Sequence, residues 1–430
     1  MGSARRRGSK SSENIPPSGE SADKVELLAA QPLSKKWSSF RTRTISTFCL
    51  LGGFCLMIYG GHVLLWGLVV GIQVGMVYEL FNCAQNMRTE KSLPGFRFLQ
   101  WYFCGVATFF VHGRFVNNNL WVEISSDKRL ARLFSVSLKH HVMISYLLYT
   151  AGFVVFVALL KKGKYVYQFG QYAWTHMILL VVLTQSSFFV ANIFEGIWWF
   201  LMPTLLVICN DIMAYISGFF FGRTPLTALS PKKTWEGFIG AFFSTMCISF
   251  FLASYLAQFK WMTCPRTDLT IRGWLDCEVN PVYEKTTYQV DALLEEFPAS
   301  LAAFILKVFP SQTVSVAPIQ LHALVLSMFA SSIAPFGGFF ASGFKRAFNI
   351  KDFGDTIPGH GGIMDRFDCQ VVIAVFANIY YNTYVKASVV TLASLLTSVE
   401  GLAPELKVDF YKAMGNILEG EGLIKEVPNI

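Results

Sequence analysis

Nine apolar runs, each close to the length that crosses a lipid bilayer, decide what this chain can fold into. A helix needs about 20 apolar residues to span the hydrocarbon layer. Only helices and closed barrels satisfy every backbone polar group there. The runs lie at 44–60, 62–81, 98–116, 134–160, 172–194, 197–221, 237–257, 319–341 and 370–396. They predict an all-α polytopic membrane protein, a bundle of about nine transmembrane helices. Hydrophobic residues at 53% against 15% charged exclude an ordinary soluble domain.

Charge sets the orientation. Residues 1–43 are polar and carry no apolar period, so a disordered cytosolic tail is expected. Met1-Gly2 begins like an N-myristoylation site, but Arg6 stands where Ser or Thr is required. The segment is too long and polar for a cleaved signal peptide. Lys35, Lys36, Arg41 and Arg43 hold it on the cytosolic side. Loops 82–97, 161–171 and 222–236 are then cytosolic and basic, as the positive-inside rule requires, whereas loop 117–133 departs from it with Lys128, Arg129 and Arg132. The long loop 258–318 falls on the lumenal side and holds Cys264 and Cys277, where an oxidising compartment favours a disulfide. Residues 44–396 form the membrane domain. The tail 397–430 has Leu406, Phe410, Ala413, Ile417 and Leu418 at helical spacing, an amphipathic helix for the membrane surface or the core.

Two loops on the cytosolic side carry the chemistry. Residues 342–368 hold Lys345, Arg346, Lys351, Arg366, Asp352, Asp355, Asp365, Asp368 and His360. Such clustering of ionisable groups marks functional sites; taken singly, each charge also fits a juxtamembrane loop in which acids and bases pair. Gly361-Gly362 lie just ahead of a helix start, a natural anion site. Asp365 and Asp368 are three apart and share a helix face, which suits Mg²⁺. Arg366 is placed to clamp a phosphate. The second constellation is Asn210-Asp211 inside an apolar run, followed by Ser230-Pro231-Lys232-Lys233-Thr234-Trp235-Glu236-Gly237. An acid at membrane depth is expensive and is a functional candidate; a structural hydrogen bond in the bundle is the other reading of Asp211. Ser230 and Thr234 serve either as phosphate donors or as helix caps. A net charge of +8 suits anionic headgroups or a nucleotide, and the scatter of basic residues between spans argues against nucleic acid.

The order Ser342-x-x-Lys345-Arg346, Lys351-Asp352, Pro358-x-His360-Gly361-Gly362 and Asp365-Arg366-x-Asp368 resembles the signature of CDP-diacylglycerol synthases, the phosphatidate cytidylyltransferases, in their eukaryotic branch. Asp211-x-x-Ala214-Tyr215 and Ser230-Pro231-x-Lys233-Thr234-Trp235-x-Gly237 resemble a second element of that family. The resemblance implies a cytosol-facing site that joins CTP to phosphatidate with Mg²⁺, giving CDP-diacylglycerol and pyrophosphate. It implies membrane lipids as surroundings, the endoplasmic reticulum as location, phosphatidylinositol and cardiolipin synthesis as uses, and leaves a homodimer open. On this basis Asp365 and Asp368 hold the metal, with Asp211 and Asp352 as further candidates for the metal or for orienting a base. Lys345, Arg346 and Arg366 hold the lipid and nucleotide phosphates, and Lys232 and Lys233 the triphosphate tail. His360 with Gly361 and Gly362 stabilises the transferring phosphate, and Ser342, Lys351, Ser230 and Thr234 complete the substrate contacts. One departure stands out: Gly338 occupies the position of a metal-binding aspartate in bacterial relatives, so that ligand set does not carry over whole.

Rival readings are weaker. His360-x4-Asp365 fits the H-x4-D pair of glycerolipid acyltransferases, without their phosphate-binding element. Gly338–Gly343 has P-loop glycine spacing, but Phe344 replaces the required lysine. A lipid transporter or scaffold built on Asn210-Asp211 would show no dependence on CTP.

Overall fold

A computed structural model of the protein describes residues 33–86, 95–119, 136–227, 229–230, 233–266, 277, 280–289, 313–386, 396, 399–420 and 422. The apolar runs are helical, as backbone groups without water demand. In chain order they are α1 (Leu33–Tyr59), α2 (His62–Asn86), α3 (Phe96–Asn119), α4 (His141–Ala158), α5 (Tyr165–Phe194), α6 (Ile197–Phe221), α7 (Trp235–Ala257), α8 (Pro318–Ser332), α9 (Pro335–Ala347), α10 (Met364–Tyr380) and α11 (Pro404–Gly420). Six helical segments are long and apolar enough to cross a membrane: His62–Cys83, α4, α5, α6, α7 and the joined α8–α9. The apolar part of α1, Thr44–Tyr59, is shorter. α3 and α10 carry more polar side chains, among them Gln100, His112 and Arg114, and Asp365, Arg366 and Asp368. The protein is a multi-pass membrane protein.

Three features differ from the sequence expectation. Helix α1 starts at Leu33, within the stretch expected to be a tail; residues 1–32 lie outside the described residues. The run 319–341 is broken at Ile333-Ala334, because Pro335 has no N–H to continue the ladder and instead starts α9. The fold is not purely α: in loop 258–318, strand β1 (Thr286–Gln289) pairs antiparallel with β2 (Thr313–Val316), Thr286 opposite Val316. Cys264 and Cys277 of the same loop form a disulfide.

Two packed clusters hold the helices. One centres on Trp198 and Trp199 of α6, both fully buried, with Leu326 of α8 and Ile373 of α10. Phe329 and Phe376 stack at 3.9 Å, with rings nearly parallel, and join α8 to α10. The other cluster packs Met76 and Val77 of α2 with Phe103, Phe156 and Ile178. Polar side chains tie the bundle: Asn192 donates to the Ala374 carbonyl at 3.0 Å and accepts from Asn378 at 3.0 Å. Helices α6 and α7 approach closely at Gly237, where a methyl group would come within 2.8 Å of the Ala214 carbonyl. Such small-residue seams let membrane helices pack backbone to backbone. This one sets the walls of the cleft described next.

Candidate active site

The loop between α6 and α7 is short and tightly closed. Thr234 caps α7, its hydroxyl accepting the Gly237 N–H at 3.2 Å, so Thr234 rather than Ser230 is the N-cap. The Glu236 carboxylate accepts the N–H groups of Arg223 and Thr224 and the Thr224 hydroxyl. Ser230 contributes its carbonyl to the Lys233 N–H at 3.0 Å, and the Lys233 carbonyl accepts from Leu226 at 2.7 Å. These bonds fix the Lys233 backbone, and its ammonium lies 4.9 Å from the centre of the Phe339 ring. Lys232 lies outside the described residues.

Lys233 thereby reaches a cleft of about 340 Å³ between α6, α7 and the start of α9. Asn210, Asp211, Thr234 and Phe339 also line it. Asn210 is 4% exposed, and its carbonyl oxygen has no hydrogen-bond partner among the described residues. Asp211 shares this cleft with Lys233. At Gly338, a methyl group would sit 3.1 Å from the Cys369 sulfur, 3.5 Å from Asp368 Oδ2 and 3.9 Å from Lys233 Nζ. Gly338 thus keeps open the space between Asp368 and Lys233. Asp368 accepts the N–H of Cys369 at 2.7 Å, leaving its second oxygen toward that gap.

Asp365 is differently occupied. It is buried, takes the Lys345 ammonium at 2.5 Å on Oδ1, and takes the N–H groups of Phe353 and Gly362 on Oδ2. Three residues of spacing put Asp365 and Asp368 on one face of α10, but they turn to different partners. Helix α9 offers Lys345 to the first, and the Gly338 gap receives the second.

The N–H groups at the start of α10, expected to face a ligand phosphate, meet a protein carboxylate instead. Glu79 of α2, 2% exposed, accepts the N–H of Ile363 at 2.8 Å and of Met364 at 2.9 Å, and the Thr356 hydroxyl. Residues 357–360 form a tight turn, His360 N–H to Ile357 carbonyl at 2.9 Å, with Pro358 and then Gly359 at φ +77°. The His360 ring contacts Ser46 and Thr47 of α1 at 3.0 and 3.3 Å, and the His360 carbonyl accepts two bonds from Arg366. No hydrogen bond links His360 to Asp365, so the acyltransferase pair is not assembled. Ser342 and Arg346 lie on α9, and Lys351 and Asp352 are exposed on the loop, Asp352 beside Gly361.

The structure therefore brings Asp211, Lys233 and Thr234 to one cleft, places Asp368 behind Gly338, and joins Lys345 with Asp365. Arg346, Lys351 and Asp352 are not among the cleft-lining residues. Glu79 and Phe339 were not singled out as site residues from sequence. A lone acid near the end of an apolar run was the available signal for Glu79.

Comparison with known proteins gives the family. Residues 41–384 match the cytidylyltransferase family. The chain is 51% identical over 385 residues to phosphatidate cytidylyltransferase 1 of Arabidopsis thaliana, covering 89% of each chain. It is 42% identical over 414 residues to phosphatidate cytidylyltransferase 1 of Homo sapiens (96% and 86% covered) and 39% identical over 412 residues to the human phosphatidate cytidylyltransferase 2 (95% and 89%). Family signature, cleft and relatives converge: the chain belongs to the cytidylyltransferase family, among its eukaryotic-type phosphatidate cytidylyltransferases.

Proposed function

We propose that this enzyme, which transfers the cytidylyl group of CTP to phosphatidate, does so at the cleft lined by Asn210, Asp211 and Lys233, with Asp368 beside it. A phosphatidate oxygen attacks the α-phosphorus of CTP. The bond from that phosphorus to the bridging oxygen of the β-phosphate breaks, and pyrophosphate leaves with the electron pair. The nucleophile is already ionised near neutral pH, so the protein supplies positioning and charge stabilisation rather than a strong base.

The observation that carries this reading is the meeting of Lys233 and Asp211 in one cleft with Asp368 beyond the Gly338 gap. The residues fit Mg²⁺: two carboxylates and the unpartnered Asn210 oxygen are hard oxygen donors, and phosphate oxygens would complete the shell. Bound there, Mg²⁺ would neutralise the two anionic reactants. Lys233 holds the triphosphate, with Phe339 beneath its ammonium. Thr234 keeps Lys233 in register by capping α7. Asp365 and Lys345 act as a pair that fixes α9 against the motif loop, and Arg366 braces the His360 turn.

Nine spans follow if α1, α3 and α10 also cross, which puts both motif loops on the cytosolic face and the disulfide on the opposite, oxidising side. Helix α7 supports that reading, since it runs from the cleft at Thr234 toward the bridge at Cys264. Residence in the endoplasmic reticulum, and supply of phosphatidylinositol and cardiolipin synthesis, accord with such a topology.

Binding of Mn²⁺ in place of Mg²⁺, read by electron paramagnetic resonance on purified protein with CTP, tests the metal assignment. Asp211→Asn and Asp368→Asn are expected to weaken binding by roughly tenfold or more, as loss of a charged ligand does, with Asp365→Asn leaving it near wild type. Loss in Asp365→Asn alone would overturn the assignment.

A further inference from the structure

We infer that the apolar cavity between α3, α4 and α5 is a binding site for one anionic glycerophospholipid, distinct from the catalytic cleft. The cavity measures about 870 Å³, within the range of sites that enclose small molecules. Its walls are mostly apolar, with Phe103 and Phe110 of α3 among them. Arg114 of α3 is the one charged side chain among the described lining residues, and no carboxylate accompanies it. Arg114 makes no hydrogen bond or ion pair among the described residues. Arg114 is exposed near the end of α3, where a cation beside an apolar cavity complements an anionic headgroup.

Two further observations point to an occupant. Ser145 of α4 lines the cavity at 4% exposure, and its hydroxyl has no partner among the described residues. Buried hydroxyls in proteins are normally bonded, so this one is available to a ligand oxygen. The facing wall of α5 is a π-helical turn, Leu179–Thr184, of which Leu179, Leu180, Leu183 and Thr184 border the cavity. Such insertions are rare and concentrate at functional sites.

The chemistry selects the ligand. Apolar walls suit acyl chains, and Arg114 with Ser145 suits a phosphate diester. A neutral lipid would forgo the charge pairing with Arg114, and a free anion would leave the apolar walls unused. The place differs from the catalytic cleft. The chain passes from the Glu79 end of α2 into α3 at Phe96, and Arg114 lies about 27 Å further along that helix at 1.5 Å per residue. It sits level with the start of α2, where Trp66 donates to His112 at 3.1 Å. The lipid is therefore drawn from the leaflet opposite the catalytic loops.

Native mass spectrometry of the purified full chain, offered equal phosphatidylglycerol and phosphatidylcholine, tests the proposal. Wild type is expected to retain one phosphatidylglycerol. Arg114→Gln should lose it by roughly tenfold, the scale of one charge-assisted hydrogen bond, and Arg114→Lys should restore most of it. Ser145→Phe, which fills the cavity, should also lose it. Asp368→Asn should keep it, and all four variants should remain monodisperse. Equal retention of the two lipids, or unchanged retention in monodisperse Arg114→Gln, would overturn the proposal. Loss in Asp368→Asn with retention in Arg114→Gln would overturn it equally, by locating the lipid at the catalytic cleft.

Discussion

Glu79 of α2 accepts the backbone N–H groups of Ile363 and Met364, at 2.8 and 2.9 Å, from 284 and 285 residues away in the chain. A carboxylate is a natural partner for the positive end of a helix. It pins the start of α10, and with it Asp368, to the second helix of the bundle. Glycine at 354 and 362 makes room, since a methyl group at either would come within 3.0 Å of the Glu79 carboxylate.

Glu79→Ala should therefore strand two backbone donors away from water, at about 1–3 kcal/mol each. Its melting temperature in detergent should fall, and CDP-diacylglycerol formation should drop by roughly tenfold or more. Glu79→Gln, which keeps one acceptor, should lie between the variant and wild type. Wild-type melting and turnover in Glu79→Ala would show that the contact is dispensable.

Neighbouring glycines should separate sharply. At Gly337 a methyl group would lie 2.3 Å from the Asp368 carbonyl oxygen, which belongs to backbone and cannot yield. At Gly338 its nearest neighbour would be the Cys369 sulfur at 3.1 Å, a side-chain atom that can shift slightly. Gly337→Ala should destabilise by about 1–3 kcal/mol through overpacking. Gly338→Ala should fold, with reduced turnover because the methyl enters the gap between Asp368 and Lys233. Thermal melts beside CTP turnover check both, and equal melting of the two variants would contradict the close approach of α9 to α10.

The Lys345–Asp365 pair is part-buried, with side-chain exposures of 19% and 6%. Removing one partner of a fully buried pair costs about 3–5 kcal/mol, and of a part-buried pair less. Lys345→Met should then melt well below wild type. The double variant Lys345→Met/Asp365→Leu should regain part of that loss without regaining activity. A double variant no more stable than the single would mean that the pair is not what Asp365 contributes.

Much of the fold was legible because the bilayer imposes one rule on every span. The run 197–221 coincides with α6, and 62–81 falls within α2. What the apolar count hides is the break at Pro335, since hydropathy is blind to a missing N–H. It hides the β1–β2 pair too, because two four-residue strands in a polar loop leave little periodicity. For the site, residue types were legible and partners were not. The spacing of Asp365 and Asp368 gives a common helix face, but Asp365 takes its partner Lys345 from α9 while Asp368 turns to the Gly338 gap. The role of Glu79 was not legible, because its partners lie at the far end of the sequence.

The disulfide offers a test of sidedness. Cys264 and Cys277 close a loop of 13 residues, worth about 3 kcal/mol on chain-entropy grounds. Cys264→Ser should lower the melting temperature while leaving the KM for CTP unchanged, because the bridge lies beyond the far end of α7 from the cleft. In sealed vesicles with the motif loops outward, a membrane-impermeant reductant should leave the bridge intact. Reduction without permeabilisation would put the bridge and the catalytic loops on one side.

The most direct test of the account is transfer of label from CTP, radiolabelled at the α-phosphorus, into chloroform-extractable lipid. Purified wild type, Asp368→Asn and Lys233→Met would be compared with phosphatidate and Mg²⁺. Label should enter lipid only when phosphatidate is present, and should fall by roughly 100-fold or more in monodisperse Asp368→Asn, the scale of losing a main electrostatic group. Lys233→Met should be rescued in part by raising CTP. Full transfer by Asp368→Asn would keep the activity and contradict its assignment to this cleft.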